Sequence, residues 1–113
     1  GAGWAAWETD SPTFVRCRSI SNRRGFNFEN TTGTVEMTDC TMLDNEVAHI
    51  YIASNHDSAV YEIHDPVFDG PKLRVRVTGY AGLTRTQNPA DVHLYVDGVL
   101  RNDLMALTVQ DNG

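Results

Sequence analysis

The chain has 113 residues, enough for one domain, with fifteen carboxylates against nine basic groups and a net charge of −6. That balance argues against a nucleic-acid partner, which needs a basic face. No stretch approaches the roughly 18 apolar residues of a membrane helix, so no membrane insertion is expected.

In chain order, Gly1-Ala2-Gly3-Trp4-Ala5-Ala6-Trp7 opens as a strand already in progress. Trp4 and Trp7 are three apart, so one faces a core and the other faces out. Phe14 and Val15 start a short apolar stretch, followed by Cys17-Arg18-Ser19-Ile20-Ser21-Asn22. That segment returns as Cys40-Thr41-Met42-Leu43-Asp44-Asn45, then as Asp65-Pro66-Val67-Phe68-Asp69-Gly70, then as Asp97-Gly98-Val99-Leu100-Arg101-Asn102. After each copy comes an alternating pair: Phe26/Phe28, Ile50/Ile52, Val75/Val77 and Leu107/Val109. Before the last three lie Val35-Glu36-Met37, Val60-Tyr61-Glu62-Ile63 and Val92-His93-Leu94-Tyr95. Alternation at period two is strand chemistry, and a recurrence every 20–30 residues or so is one turn of a solenoid.

The expected fold class is all-β: a right-handed parallel β-helix of about four coils over residues 1–113. A loop inserts before the last coil, between Val77 and Val92. In this scheme Ile20, Leu43, Phe68 and Leu100 stack in one column. Asn22, Asn45, Gly70 and Asn102 take corners that need φ > 0. A competing scheme for the last third is a small antiparallel sandwich, with Val92–Val96 and Leu104–Val109 as a hairpin. The ends carry no capping helix, so the chain is expected to be a module of a longer protein or assembly, or a homo-oligomer.

Cys17 and Cys40 fall at equivalent places about one strand spacing apart, which suits stacked free thiols and also lies in disulfide range. Asn30-Thr31-Thr32 is a glycosylation sequon and agrees with an extracellular, cell-surface or virion location. Only Lys72 is lysine among the basic residues. Few lysines beside many carboxylates is a halophilic composition.

Surface placement is the default expectation for His49, His56, His64 and His93. His56-Asp57 is the candidate acid–base pair, because a neighbouring carboxylate raises an imidazole pKa. Asp44 and Asp69 share a repeat position; they either stay solvated or share a hard cation such as Ca²⁺. Tyr80, Arg85 and Trp7 are the candidate ligand-binding residues, since glycan contact wants exposed rings and planar donors.

The pattern over Phe14 to Val109 resembles the right-handed parallel β-helix superfamily of pectate-lyase-like enzymes, mannuronan epimerases and phage tailspikes. The resemblance implies two functions. One is a structural or adhesive module of a virion spike or cell-surface protein that binds polysaccharide or cell-surface glycan. The other is a fragment of a polysaccharide lyase or glycoside hydrolase, with Ca²⁺ held by acidic residues and an arginine such as Arg74 as base. The epimerase signature Asp-Pro-His-Glu is missing, because Asp65-Pro66 continues as Val67-Phe68.

Overall fold

The computed structural model describes residues 2–53, 59–80 and 92–110. They form three sheets, and every strand pair is parallel except one. The first sheet runs β1 (Ala2–Trp7), β4 (Arg24–Glu29), β7 (Ala48–Ala53), β10 (Val75–Tyr80), β13 (Met105–Gln110). The second runs β2 (Thr13–Val15), β5 (Thr34–Thr38), β8 (Ala59–His64), β11 (Val92–Val96), β12 (Val99–Leu100). The third is short: β3 (Arg18–Ile20), β6 (Thr41–Leu43), β9 (Val67–Phe68). The first nine strands therefore visit the three sheets in turn, each round of three pairing as a tier with the one before; β12 then stays in the second sheet beside β11, and β13 returns to the first.

The alternating pairs are the reason these tiers cohere. Phe26, Ile50 and Val75 are register partners, as are Ala6, Phe28, Ile52 and Val77. Facing them are Phe14, Met37, Ile63 and Val96 in one row and Val35, Tyr61 and Leu94 in another. Most of these side chains are fully buried. Burying one such side chain is worth roughly 1.5–3 kcal/mol, so the inward rows supply most of the cohesion. Rings join across the interior: Phe14 lies edge-on to Phe26 and Phe28 at 5.5 and 5.8 Å, and Phe28 to Tyr61 at 5.4 Å. The Tyr61 hydroxyl is paired with Thr31 Oγ1 at 2.9 Å, and burial pushes its pKa up to about 12.

Several expectations need correction. Ile20 and Leu43 do pair, but Phe68 pairs with Met42, one residue away. The inward position of the third sheet is thus Ser19, Met42 and Phe68, and Ile20 stands 42% exposed. Leu100 is elsewhere, antiparallel to Tyr95 on β12. Val75 and Val77 pair with Met105 and Leu107, so the last strand sits one alternation earlier than Leu107/Val109. The last third is not a sandwich either: β11 makes its hairpin with β12, while β13 joins β10 in parallel.

The left-handed corner residues are also displaced. Gly70 has φ +83°, but in the two preceding tiers the left-handed residues are Ser21 and Asp44 rather than Asn22 and Asn45. Asp44 is therefore the structural counterpart of Gly70, not of Asp69. Other corners bend at Glu8, Ser11, Arg16, Asn30, Asp39, Asp65 and Asp97. Six of these corner N–H groups, from Glu8, Ser11, Arg16, Ser21, Asn30 and Asp39, donate to a carbonyl of the following tier at 2.8–3.1 Å.

Asn22 and Asn45 have a different task. Asn45 is buried; its Oδ1 accepts from the Asn22 N–H (3.1 Å) and Ser19 Oγ (3.2 Å), and its Nδ2 donates to the Ser19 carbonyl (3.1 Å). Each asparagine packs against a glycine of the adjoining strand. A Cβ on Gly3 would lie 2.0 Å from Ser19 Oγ and 2.8 Å from Asn22 Nδ2. One on Gly25 would lie 2.3 Å from the His49 carbonyl oxygen and 3.1 Å from Asn45 Nδ2. Close backbone approach fixes both glycines.

Candidate functional site

The asparagine-on-glycine device stops at the third tier. There His49 follows Gly3 and Gly25 along the first sheet, and Asp69 meets it from the corner after β9. His49 is completely buried, which corrects the expectation of a surface histidine. Its Nδ1 faces the backbone N–H of Arg74 at 2.7 Å, and its Nε2 lies 2.9 Å from Asp69 Oδ1. A backbone N–H can only donate, so Nδ1 is the acceptor and the proton sits on Nε2. The other carboxylate oxygen of Asp69 accepts the Asp44 N–H at 2.9 Å, and Asp44 Oδ2 accepts from Ser21 Oγ at 2.9 Å. Arg74 closes the group: its Nη2 donates to the Asn45 carbonyl at 2.8 Å.

This constellation has the components of an acid–base pair, but both imidazole nitrogens are engaged and the ring is sealed from solvent. Its chemistry is that of a clamp between β6, β7, β9 and β10. Burial lowers the His49 pKa, the hydrogen bond to Asp69 opposes that, and the Arg74 charge lowers it further. The hydrogen bond from His49 and that from the Asp44 N–H hold the Asp69 carboxyl below its ordinary value.

A pH dependence follows. A histidine whose folded-state pKa is depressed stabilises the fold fully above its unfolded value, roughly 6.5, and this contribution fades as pH falls through the folded value. Wild-type unfolding free energy is expected to decline as pH drops below about 6.5. Denaturant titrations across that range should show a shallower decline in His49→Gln. Identical slopes in the two proteins would show that His49 is not responsible.

The remaining sequence candidates separate. Asp44 and Asp69 come together, joined through the Asp44 backbone rather than by facing carboxylates. No group of three or more His, Cys, Asp or Glu that could hold a metal occurs among the described residues. Arg74 lies at the clamp. Trp7 stands outward beside Glu29 and is 65% exposed, while Trp4 turns inward and stacks on Phe26 at 6.4 Å, as their spacing predicts. Tyr80 ends β10, and its side chain lies outside the described residues, as do His56, Asp57 and Arg85. Cys17 and Cys40 are free thiols, and burial pushes the Cys40 thiol up. Asn30 of the sequon occupies a left-handed corner and is partly buried.

His49 escaped the sequence reading because its neighbours carry no histidine-site spacing: Asp69 is 20 residues away and Arg74 is 25. The available signal was its place in the row of Gly3 and Gly25, visible only once the correct register is known.

No described helix is long and apolar enough to cross a membrane. Comparison with family models, curated proteins and solved structures produced no match.

Proposed function

We propose that this chain is a structural or adhesive module of the right-handed parallel β-helix type, its tiers being the coils, and that residues 1–113 taken by themselves assemble through the β1–β2–β3 end with a second copy, an end that the rest of a larger β-helix would otherwise complete. The setting that fits is an extracellular spike or cell-surface protein, with the outward Trp7 available for glycan contact. One observation carries the reading: the two ends of the stack differ. At the first tier, β1, β2 and β3 are the outermost strands of their sheets. Trp4 extends the buried row of Phe26, Ile50 and Val75 yet is 41% exposed.

At the other end β13 and β9 are outermost strands too, but the edge of β11 is closed. The Asn102 side chain accepts from the Leu94 N–H (3.0 Å) and donates to the Val92 carbonyl (3.1 Å), while the Arg101 N–H donates to the Leu94 carbonyl (2.7 Å). β12 then pairs with the rest of β11. An uncovered strand edge beside an apolar face is a template for pairing with another chain. Charge favours a like partner: Glu8 and Asp10 balance Arg16 and Arg18 over residues 1–22, so the net −6 falls entirely on the rest.

Sedimentation or light scattering at high concentration is expected to show a specific oligomer. Trp4→Lys and Val15→Lys, both on the open end, should each shift it toward monomer. A wild-type protein that stays monomeric throughout would overturn the proposal. The lyase or hydrolase reading draws no comparable support among the described residues, where the acid–base pair of His49 and Asp69 has a sealed imidazole.

A further inference from the structure

Two thiols meet where the corner between the second and third sheets recurs. Cys17 and Cys40 each follow a left-handed residue, Arg16 (φ +55°) and Asp39 (φ +53°), and each precedes a strand of the third sheet. The residues on both sides are register partners, Val15 with Thr38 and Arg18 with Thr41, and the Thr41 N–H donates to the Cys17 carbonyl at 2.9 Å. The two cysteines are therefore in register on neighbouring tiers. Their side chains also take the same course: Cys17 Sγ faces the Val15 carbonyl and Cys40 Sγ the Thr38 carbonyl, both at 3.6 Å. Cys40 Sγ is equally close to the Phe14 carbonyl of the first tier, so it leans toward the tier that carries Cys17. In the third tier the place belongs to Pro66, so the thiols form a pair and not a column.

Strand spacing decides what such a pair can hold. Equivalent Cβ atoms of in-register parallel strands stand about 4.7–4.9 Å apart. A disulfide wants them at roughly 3.5–4.5 Å, so closing one would pull the corners together. A zinc–thiolate bond is about 2.3 Å, and two bonds of that length in line span about 4.6 Å. We infer that Cys17 and Cys40 form a two-coordinate site for a soft monovalent cation of the Cu(I) class, held as a linear S–Cu–S bridge between the first two tiers. Thiolates are ligands that select Cu(I). Zn²⁺ wants at least three protein ligands, and no group of three or more His, Cys, Asp or Glu is present among the described residues to supply them. Half-buried Cys17 offers the way in, and Cys40, 1% exposed, lies behind it in the apolar core. Each metal–sulfur bond that forms releases one thiol proton to solvent, and the copper stays Cu(I) throughout. The S–H contacts given up are long ones from a weak donor. Burial pushes the Cys40 thiol up, but a coordinated cation deprotonates a thiol outright.

Anaerobic titration of the whole chain with Cu(I), in competition with a chromophoric Cu(I) chelator, tests this. One Cu(I) per chain is expected, and X-ray absorption should count two sulfur neighbours at the copper. Cys17→Ser and Cys40→Ser should each weaken binding at least about tenfold, since losing a ligand costs no less than disturbing its surroundings. Circular dichroism checks that each variant is folded; if Cys40→Ser is not, Cys17→Ser decides alone. Zn²⁺ should not be retained. One copper per two chains, affinity unchanged in a folded variant, a copper with three or more protein ligands, or Zn²⁺ held as tightly as Cu(I) would overturn the inference. Copper is counted per chain and the oligomer is measured without it, so this proposal and the assembly proposal fail separately.

Discussion

Phe28→Ala is expected to produce the largest loss of stability of any change considered, about 3–5 kcal/mol. Phe28 is 1% exposed and sits where two interior rows meet. Ala6 and Ile52 flank it along the first sheet, and the rings of Phe14 and Tyr61 pack edge-on from the second. Removing the ring leaves a void between strands whose backbones are tied into a continuous parallel ladder, so the walls cannot close on it. Phe28→Leu keeps most of the volume and should cost less than about 1.5 kcal/mol. Chemical denaturation of both variants checks this; a small loss in Phe28→Ala would mean that the tiers relax far more easily than their ladders suggest.

Asn45→Ala should cost about 2–4 kcal/mol, through polar groups left without partners rather than through lost volume. Three bonds disappear together: those to the Asn22 N–H, Ser19 Oγ and the Ser19 carbonyl. Ser19 is itself buried, so water cannot replace Asn45 without opening the corner. Asn45→Asp is the discriminating companion. It keeps the oxygen that serves Asn22 and Ser19 but loses the amide donor and buries a charge. Its stability should therefore recover as pH is lowered into the carboxylate range, whereas that of Asn45→Ala should not. Equal behaviour of the two variants with pH would refute the hydrogen-bonding account.

How much was legible beforehand depended on which force set each position. The apolar pairs Phe26/Phe28, Ile50/Ile52 and Val75/Val77 were visible because burial of alternate side chains leaves a period-two mark. The parallel pairing of the tiers followed from the recurrence. What failed was the third sheet, where strands of two or three residues are too short for alternation to fix a register. Similarity between Cys17–Asn22, Cys40–Asn45 and Asp65–Gly70 suggested ungapped equivalence. The chain instead advances 23 positions between β3 and β6 and 26 between β6 and β9. A slip of one residue moves a side chain to the opposite face. That is why Ile20 was assigned inward and Ser19 overlooked. The same slip paired Asp44 with Asp69 as like neighbours and concealed that Asp69 serves His49.

The forward-pointing bonds at the corners carry a further consequence, for the order in which the molecule can be made. The left-handed conformation costs an ordinary L-residue roughly 1–2 kcal/mol. Glu8, Arg16 and Ser21 adopt it with their N–H groups donated to Glu29, Thr38 and Leu43, residues synthesised about twenty positions later. A nascent chain therefore cannot close its earliest bends as they emerge. Each waits for the segment behind it, and maturation lags translation by one full circuit of the backbone.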